Sequence, residues 1–213
     1  ANAPIPVQLT PATLITLIAM VGLVMTELAH TQIAYYMMNE GSGIYLRDTS
    51  GTGNHGFVRN GPSWVTGMKG LAIKFNGTSQ YAAVPNASSL NITSAITLTA
   101  WIAPTNVTTE RIICKANMGV NDGYELSVSS SGKVFFRLNQ FTTARTVRLD
   151  ASTSVPVTST GTSWQHAAAT YDGSTIRLYI NGVQEASGSY TYPIGTNTDS
   201  LYISRQTNTS NPY

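Results

Sequence analysis

The 213-residue chain has one cysteine, Cys114, so no internal disulfide can staple it. Charge is scarce: 10% of residues are Asp, Glu, Lys or Arg, against about a quarter in an ordinary domain. Exposed helices draw heavily on Glu and Lys, so their shortage argues against a helical bundle. The net charge is +2 and the twelve Lys and Arg are spread along the chain. That spread lacks the dense basic patch of a nucleic-acid-binding domain, so no nucleic-acid partner is expected. Also missing are a P-loop, a dinucleotide fingerprint, a Gly-x-Ser-x-Gly elbow and any His pair at zinc spacing. No long amphipathic helix is legible after Met38.

Small polar residues take the place of charge. From Gly41 onward Ser, Thr, Asn and Gly dominate, a composition of turns and strand faces. Five Asn-x-Ser/Thr sequons, at Asn76, Asn86, Asn91, Asn106 and Asn208, point to an exported, glycosylated surface. Cys114 sits in Arg111-Ile-Ile-Cys-Lys115, which reads as a strand with a buried, inert thiol.

The N-terminus differs from the rest. Pro4, Pro6 and Pro11 predict an extended start. Thr10-Pro11 then matches an N-cap followed by proline at the first helical position. Every residue from Ala12 to Met25 is apolar, Gly or Thr. A helix over 11–33 would be roughly 35 Å long at about 1.5 Å per residue. A signal-peptide core, a membrane anchor and an assembly helix all fit this pattern. The first two normally carry basic flanks, and no Lys or Arg precedes Arg47. Glu27 and His30 would be costly in lipid but could find partners in a helix bundle. The segment resembles the N-terminal helix of type IV pilin-like subunits, archaeal ones more than bacterial. It departs from the bacterial pattern in having Ile5 where an early glutamate is usual. The resemblance implies assembly of copies of the chain through Leu14, Ile15, Leu17, Ile18, Val21, Leu23, Val24, Glu27 and Leu28, with the membrane as surroundings during assembly or as anchor.

After residue 33 the hydrophobic period changes to alternation, with turn residues every 8 to 12 positions or so. Strands are predicted at Ile33–Met38, Ala72–Phe75, Tyr81–Val84, Ile96–Ile102, Arg111–Lys115, Tyr124–Val128, Lys133–Leu138, Thr146–Asp150, Trp164–Tyr171, Thr175–Ile180 and Leu201–Ser204. Ile180-Asn-Gly-Val183 is the strongest hairpin cue, because both turn positions favour φ > 0. Asp172-Gly173 marks a second tight turn. Short strands joined by such turns predict an all-β, antiparallel β-sandwich of the jelly-roll kind over 34–213, preceded by the N-terminal helix of 1–33.

Particular motifs go further. They are Ala34-Tyr-Tyr-Met-Met-Asn-Glu-Gly-Ser-Gly43, Asp48-Thr-Ser-Gly-Thr-Gly-Asn-His-Gly56, Gly61-Pro-Ser-Trp64 and Gly70-Leu-Ala-Ile-Lys-Phe-Asn-Gly77 with Tyr81. Further on come Leu98-Thr-Ala-Trp101, Gly123-Tyr-Glu-Leu126, Trp164-Gln-His-Ala-Ala-Ala-Thr-Tyr-Asp-Gly173 and Arg177-Leu-Tyr-Ile-Asn-Gly182. Together they resemble concanavalin A-like lectin/glucanase domains of the laminin-G-like type. The resemblance implies a curved sandwich in an extracytoplasmic protein. It also implies one more strand beyond Leu201-Tyr-Ile-Ser-Arg205. Either the chain continues past Tyr213 or the sandwich lacks that strand, which would leave an open edge able to accept a neighbour's.

Glycosidases need two carboxylates flanking one bond, and enzymes of this fold carry them in an alternating cluster on one strand. No such cluster exists; Asp122 and Glu125 are the nearest pair and read as solvated charges. His166 is expected as a hydrogen-bonded core residue. Trp64, Trp101 and Trp164 are expected in the core, and Tyr124, Tyr190 and Tyr192 are the candidates for a lectin surface. By resemblance, Glu40 and the backbone near Asn76 and Gly77, with an acid on the further strand, would hold a calcium ion through oxygen ligands. The leading expectation is a non-enzymatic, extracellular adhesion or structural protein, a pilus-like filament subunit with its sandwich turned outward and surface glycans as partners. The alternative is a membrane-anchored carbohydrate-binding module; a glycoside hydrolase comes third.

Overall fold

The structure is a computed structural model that describes residues 7–10 (backbone only), 32–106 and 108–205. The assembly helix expected over 11–33, with Glu27 and His30, falls on residues outside that set, except that Gln32 and Ile33 are not helical. Among the described residues no helix is long and apolar enough to cross a membrane.

Sixteen strands are described. The first half of the chain supplies β1 (Val7–Thr10), β2 (Ala34–Tyr36), β3 (Tyr45–Leu46), β4 (Gly56–Arg59), β5 (Ser63–Thr66), β6 (Leu71–Lys74), β7 (Tyr81–Val84) and β8 (Ile96–Ile102). The second half supplies β9 (Glu110–Asn117), β10 (Asn121–Val128), β11 (Lys133–Leu138), β12 (Val147–Ser154), β13 (Gln165–Tyr171), β14 (Thr175–Ile180), β15 (Val183–Ser189) and β16 (Leu201–Ile203). They form a six-stranded sheet in the order β15-β14-β13-β8-β1-β2, an eight-stranded sheet in the order β12-β11-β10-β9-β16-β7-β4-β3, and the hairpin β5-β6. The pairings within these sheets are antiparallel. The expected all-β antiparallel sandwich is therefore present.

Alternation decides which face each residue takes. In β13, Ala167, Ala169 and Tyr171 are buried, as are Ile176, Leu178 and Ile180 in β14. From the eight-stranded sheet Ile113, Tyr124, Leu126, Val134, Phe136 and Leu138 point the same way into one shared core. Each such large side chain contributes about 1.5–3 kcal/mol by leaving water. The Asn181-Gly182 turn adopts the expected left-handed pair, with φ of 52° and 82°. Asn181 adds two side-chain bonds: its Oδ1 accepts from His166 N at 2.9 Å and its Nδ2 donates to Gln165 Oε1 at 2.6 Å.

Asp48 organises the N-terminal approach to the sandwich. Its carboxylate accepts the backbone N–H groups of Tyr35, Ser50 and Asn54 and the Thr52 hydroxyl. Burial raises its carboxyl's pKa, but these hydrogen bonds to the charged form outweigh it and hold the group below the usual value.

Candidate binding face on the eight-stranded sheet

The inward residues of the eight-stranded sheet leave their alternates on its outer face. The cross-strand register names them. Arg148 pairs with Arg137, which pairs with Glu125; Asp150 pairs with Phe135, which pairs with Ser127. Glu125 pairs with Cys114 and Ser127 with Arg111. Cys114 pairs with Tyr202, Tyr202 with Ala83, and Ala83 with Phe57, while Arg59 pairs with Tyr81. Tyr45 closes the row beside Phe57. One face thus carries a continuous band of aromatic and guanidinium groups.

The band is built by stacking. The Arg205 guanidinium lies 4.4 Å from the Tyr81 ring centroid and 5.8 Å from that of Tyr202, and these two rings are 5.8 Å apart. Arg59 lies over Phe57 at 5.2 Å. Phe135, 1% exposed, is covered by Arg148 at 3.9 Å and Arg137 at 5.2 Å. Cation–π contact and guanidinium stacking fix long side chains that would otherwise be mobile, at about 0.5–2 kcal/mol each.

Glu125 sits at the middle of this face and is 0% exposed. Arg111 Nε lies 3.3 Å from Oε1, and Arg137 Nη1 lies 3.9 Å from Oε2. Ser127 Oγ donates to Oε1 at 2.7 Å and Gln140 Nε2 to Oε2 at 2.6 Å. The carboxylate is spent on anchoring its neighbours. Asp122 does not join it. The Asp122 Oδ1 accepts the N–H groups of Gln140, Phe141 and Thr142, and Oδ2 accepts the Thr142 hydroxyl. Burial pushes the Asp122 carboxyl up, but these bonds prevail and its pKa falls below the ordinary value. Asp122 and Glu125 are therefore bound structural carboxylates and not the solvated charges expected.

Other expected site residues are dispersed. Tyr124 is a core residue whose hydroxyl donates to Leu90 O, so it is no lectin surface. Tyr190 is 7% exposed and its hydroxyl accepts from Asn139 Nδ2; only Tyr192 of the three, at 46%, is open to solvent. Trp64 packs on the core as expected. Trp101 does not: it lies on the outer face of the six-stranded sheet, paired with His166 and 5.3 Å from its ring. His166 is likewise on that face; burial lowers its pKa, and its Nε2 has no hydrogen-bond partner among the described residues. Trp164 lines a cavity of about 550 Å³ at the Ile102 end of β8, whose wall includes the core-facing Ala100, Ile102, Val128 and Ile203.

Asn76 Oδ1 accepts the N–H groups of Thr78, Ser79 and Gln80, and Glu40 Oε1 accepts that of Arg47. Glu40 Oε2 is buried and unpartnered, but among the described residues no three His, Cys, Asp or Glu side chains converge to hold a metal. Of the sequons, Asn76, Asn86 and Asn106 are exposed, Asn91 is half-buried, and Asn208 lies outside the described residues. Asn86 Oδ1 accepts from the buried Lys115 Nζ at 2.9 Å.

Residues 76–213 match the family model described as the concanavalin A-like lectin/glucanases superfamily. The chain belongs to that family. No curated protein matches it. Among solved structures it is similar to the binding domain of Paraclostridial Mosquitocidal Protein 1, with a TM-score of 0.62 and 19% identity over 78% of this chain and 43% of that one. It is also similar to domain 4 of AbnA, a GH43 extracellular arabinanase from Geobacillus stearothermophilus, solved with arabinotriose (TM-score 0.56, 17% identity, 78% and 80% covered). A third is the binding domain of Botulinum Neurotoxin DC, solved with SialylT (TM-score 0.56, 15% identity, 78% and 43% covered). The chain spans less than half the length of the first and third. At these identities the likeness shows a shared fold.

Proposed function

We propose that this family member is a non-catalytic glycan-binding module that acts outside the cytoplasm through the outer face of its eight-stranded sheet. The observation that carries the reading is the band of stacked Tyr81, Tyr202, Phe57 and Phe135 with Arg59, Arg205, Arg137 and Arg148. Sugar rings present apolar C–H faces that lie on aromatic rings and hydroxyls that accept from guanidinium N–H groups. The half-buried rings of Phe57, Tyr81 and Tyr202 and the guanidinium groups offer both, pre-arranged on a sheet, while Phe135, covered by Arg148 and Arg137, steadies those two arginines. The cavity near Trp164 is lined in part by core residues and in part by polar groups such as Lys74, Asn76, Asn106, Glu110 and Arg111, but it lacks the row of stacked ring and guanidinium pairs. Two of the similar structures were solved with arabinotriose and with SialylT, which supports the same reading.

Catalysis is disfavoured by the carboxylates. A glycosidase needs one acid and one base across the bond. On this face Glu125 is sealed between two arginines, and Asp150 pairs with Arg148 at 2.5 Å. Filament assembly through the N-terminal segment rests on residues outside those described and adds nothing to the sheet's role. A glycan panel probed with the whole chain tests the reading: selective, saturable binding supports it, and silence across neutral and acidic glycans overturns it.

A further inference from the structure

We infer that the glycan bound by this face is acidic, carrying carboxylate or sulfate groups. The inference rests on the glycan-binding reading and specifies its ligand. The fold gathers charge that the sequence disperses. Strand alternation places Arg59, Arg111, Lys133, Arg137, Arg148 and Arg205 at the outer face of the eight-stranded sheet or stacked on its rings. These are six of the chain's twelve cations, and among the described residues only two acids, Glu125 and Asp150, share the strands' outer positions. Glu185 reaches the edge of the sheet, where it accepts from Ser152 and from Thr153 N. The remaining described cations and acids number six and seven, so among the described residues the excess positive charge is concentrated here.

The second observation is unspent donor capacity. Arg59, Lys133 and Arg205 have no carboxylate within salt-bridge distance among the described residues. Arg205 Nε is buried with no hydrogen-bond partner there. A buried guanidinium donor left unmade is costly. A ring holds the flat side of Arg205 and leaves its N–H edge in the plane where a carboxylate or sulfate binds in bidentate fashion. From β4 to β12 the face crosses seven neighbouring strands, roughly 29 Å at about 4.8 Å per step. That length suits an extended oligosaccharide with repeated anionic groups and not a single terminal sugar. Four strands, β4, β9, β11 and β12, and Arg205 just beyond β16 contribute cations, so the face exists only in the folded protein.

The test is calorimetric titration of the whole chain with four probes at low and physiological salt: a heparin-type sulfated octasaccharide, an oligogalacturonate, a neutral cello-oligosaccharide and a single-stranded oligonucleotide of similar charge. The expected result is binding of the sulfated or the carboxylated glycan, weakened by salt, and at least tenfold tighter than either other probe. The heparin-type probe carries both sulfate and carboxylate and the oligogalacturonate carboxylate alone, so binding of the sulfated probe only assigns sulfate, and comparable binding of the oligogalacturonate assigns carboxylate. Arg205→Gln and Arg59→Gln should each weaken it by about tenfold, while Arg177→Gln, on the opposite sheet, should leave it unchanged. Equal or better binding of the neutral glycan would overturn the inference and leave the glycan reading standing. Binding of the oligonucleotide as tightly as the glycans would overturn it as mere polyanion attraction. No binding to any probe would overturn both.

Discussion

Arg111 Nε and Glu125 Oε1 lie 3.3 Å apart on the outer face of the eight-stranded sheet, in a position where the carboxylate is wholly shut off from water. A charge there is tolerable only because Arg111, Arg137, Ser127 and Gln140 surround it. Glu125→Ala should therefore lower unfolding stability by about 3–5 kcal/mol, the range for breaking one side of a buried pair. Glu125→Gln should cost less, since it retains the shape and one acceptor. Denaturant unfolding checks both; a loss below about 1 kcal/mol for the alanine variant would contradict the buried network.

Lys115 gives a pH signature. Its side chain is 1% exposed, and its ammonium donates to Asn86 Oδ1, Asn197 O and Oδ1, and Asp199 O. Burial lowers its pKa to about 8, with the charge of Asp199 opposing the fall. The unfolded chain thus binds the extra proton between that value and the ordinary 10.5, so stability should rise with pH across this window from this group. Below pH 8 the full burial penalty applies and the contribution is flat. Lys115→Met should remove the rise, as read from denaturation midpoints between pH 7 and pH 10.

The Asn181-Gly182 turn separates two contributions. Asn181→Gly keeps the left-handed conformation, φ 52°, but loses the bonds to His166 N and Gln165 Oε1. Asn181→Ala loses both and adds backbone strain. Thermal unfolding should rank wild type above Asn181→Gly above Asn181→Ala, with about 1–2 kcal/mol between the extremes. Equal midpoints would contradict the assignment.

Gly123 bends β10 where its register to β9 slips. A Cβ there would stand 1.9 Å from Lys115 O, at φ 151°. Gly123→Ala should fail to reach the wild-type fold or lose several kcal/mol, because the obstacle is backbone. Near-native stability on denaturant unfolding would contradict the close approach.

Much of the sandwich was legible in the sequence. Tyr81–Val84, Ile96–Ile102, Lys133–Leu138 and Thr175–Ile180 form strands over the residues that alternation marks. The overlooked strands have physical reasons. Tyr45–Leu46 and Gly56–Arg59 are short and embedded among glycines. Val183–Ser189 is an edge strand of Val-Gln-Glu-Ala-Ser-Gly-Ser, with too few apolar residues to show a period. The binding face was not legible. Arg59, Arg111 and Arg205 look scattered in sequence and meet only because β4, β7, β16 and β9 are neighbours in the sheet. The parity of Lys133-Val-Phe-Phe-Arg-Leu138, apolar inward and cationic outward, was the local sign available. Trp101 was misplaced for a related reason: its neighbours Ala100 and Ile102 are the inward pair, which leaves the indole outside.

The most direct measurement compares wild type with the Tyr81→Ala, Tyr202→Ala double variant for binding of whichever glycan the panel selects. These rings lie 5.8 Å apart beneath Arg205 on the outer face. The expected result is loss of binding by at least about thirtyfold, from about 1–3 kcal/mol for each stacking partner, with the unfolding midpoint close to wild type. Unchanged affinity in a folded double variant would contradict the claim that this face is the binding site.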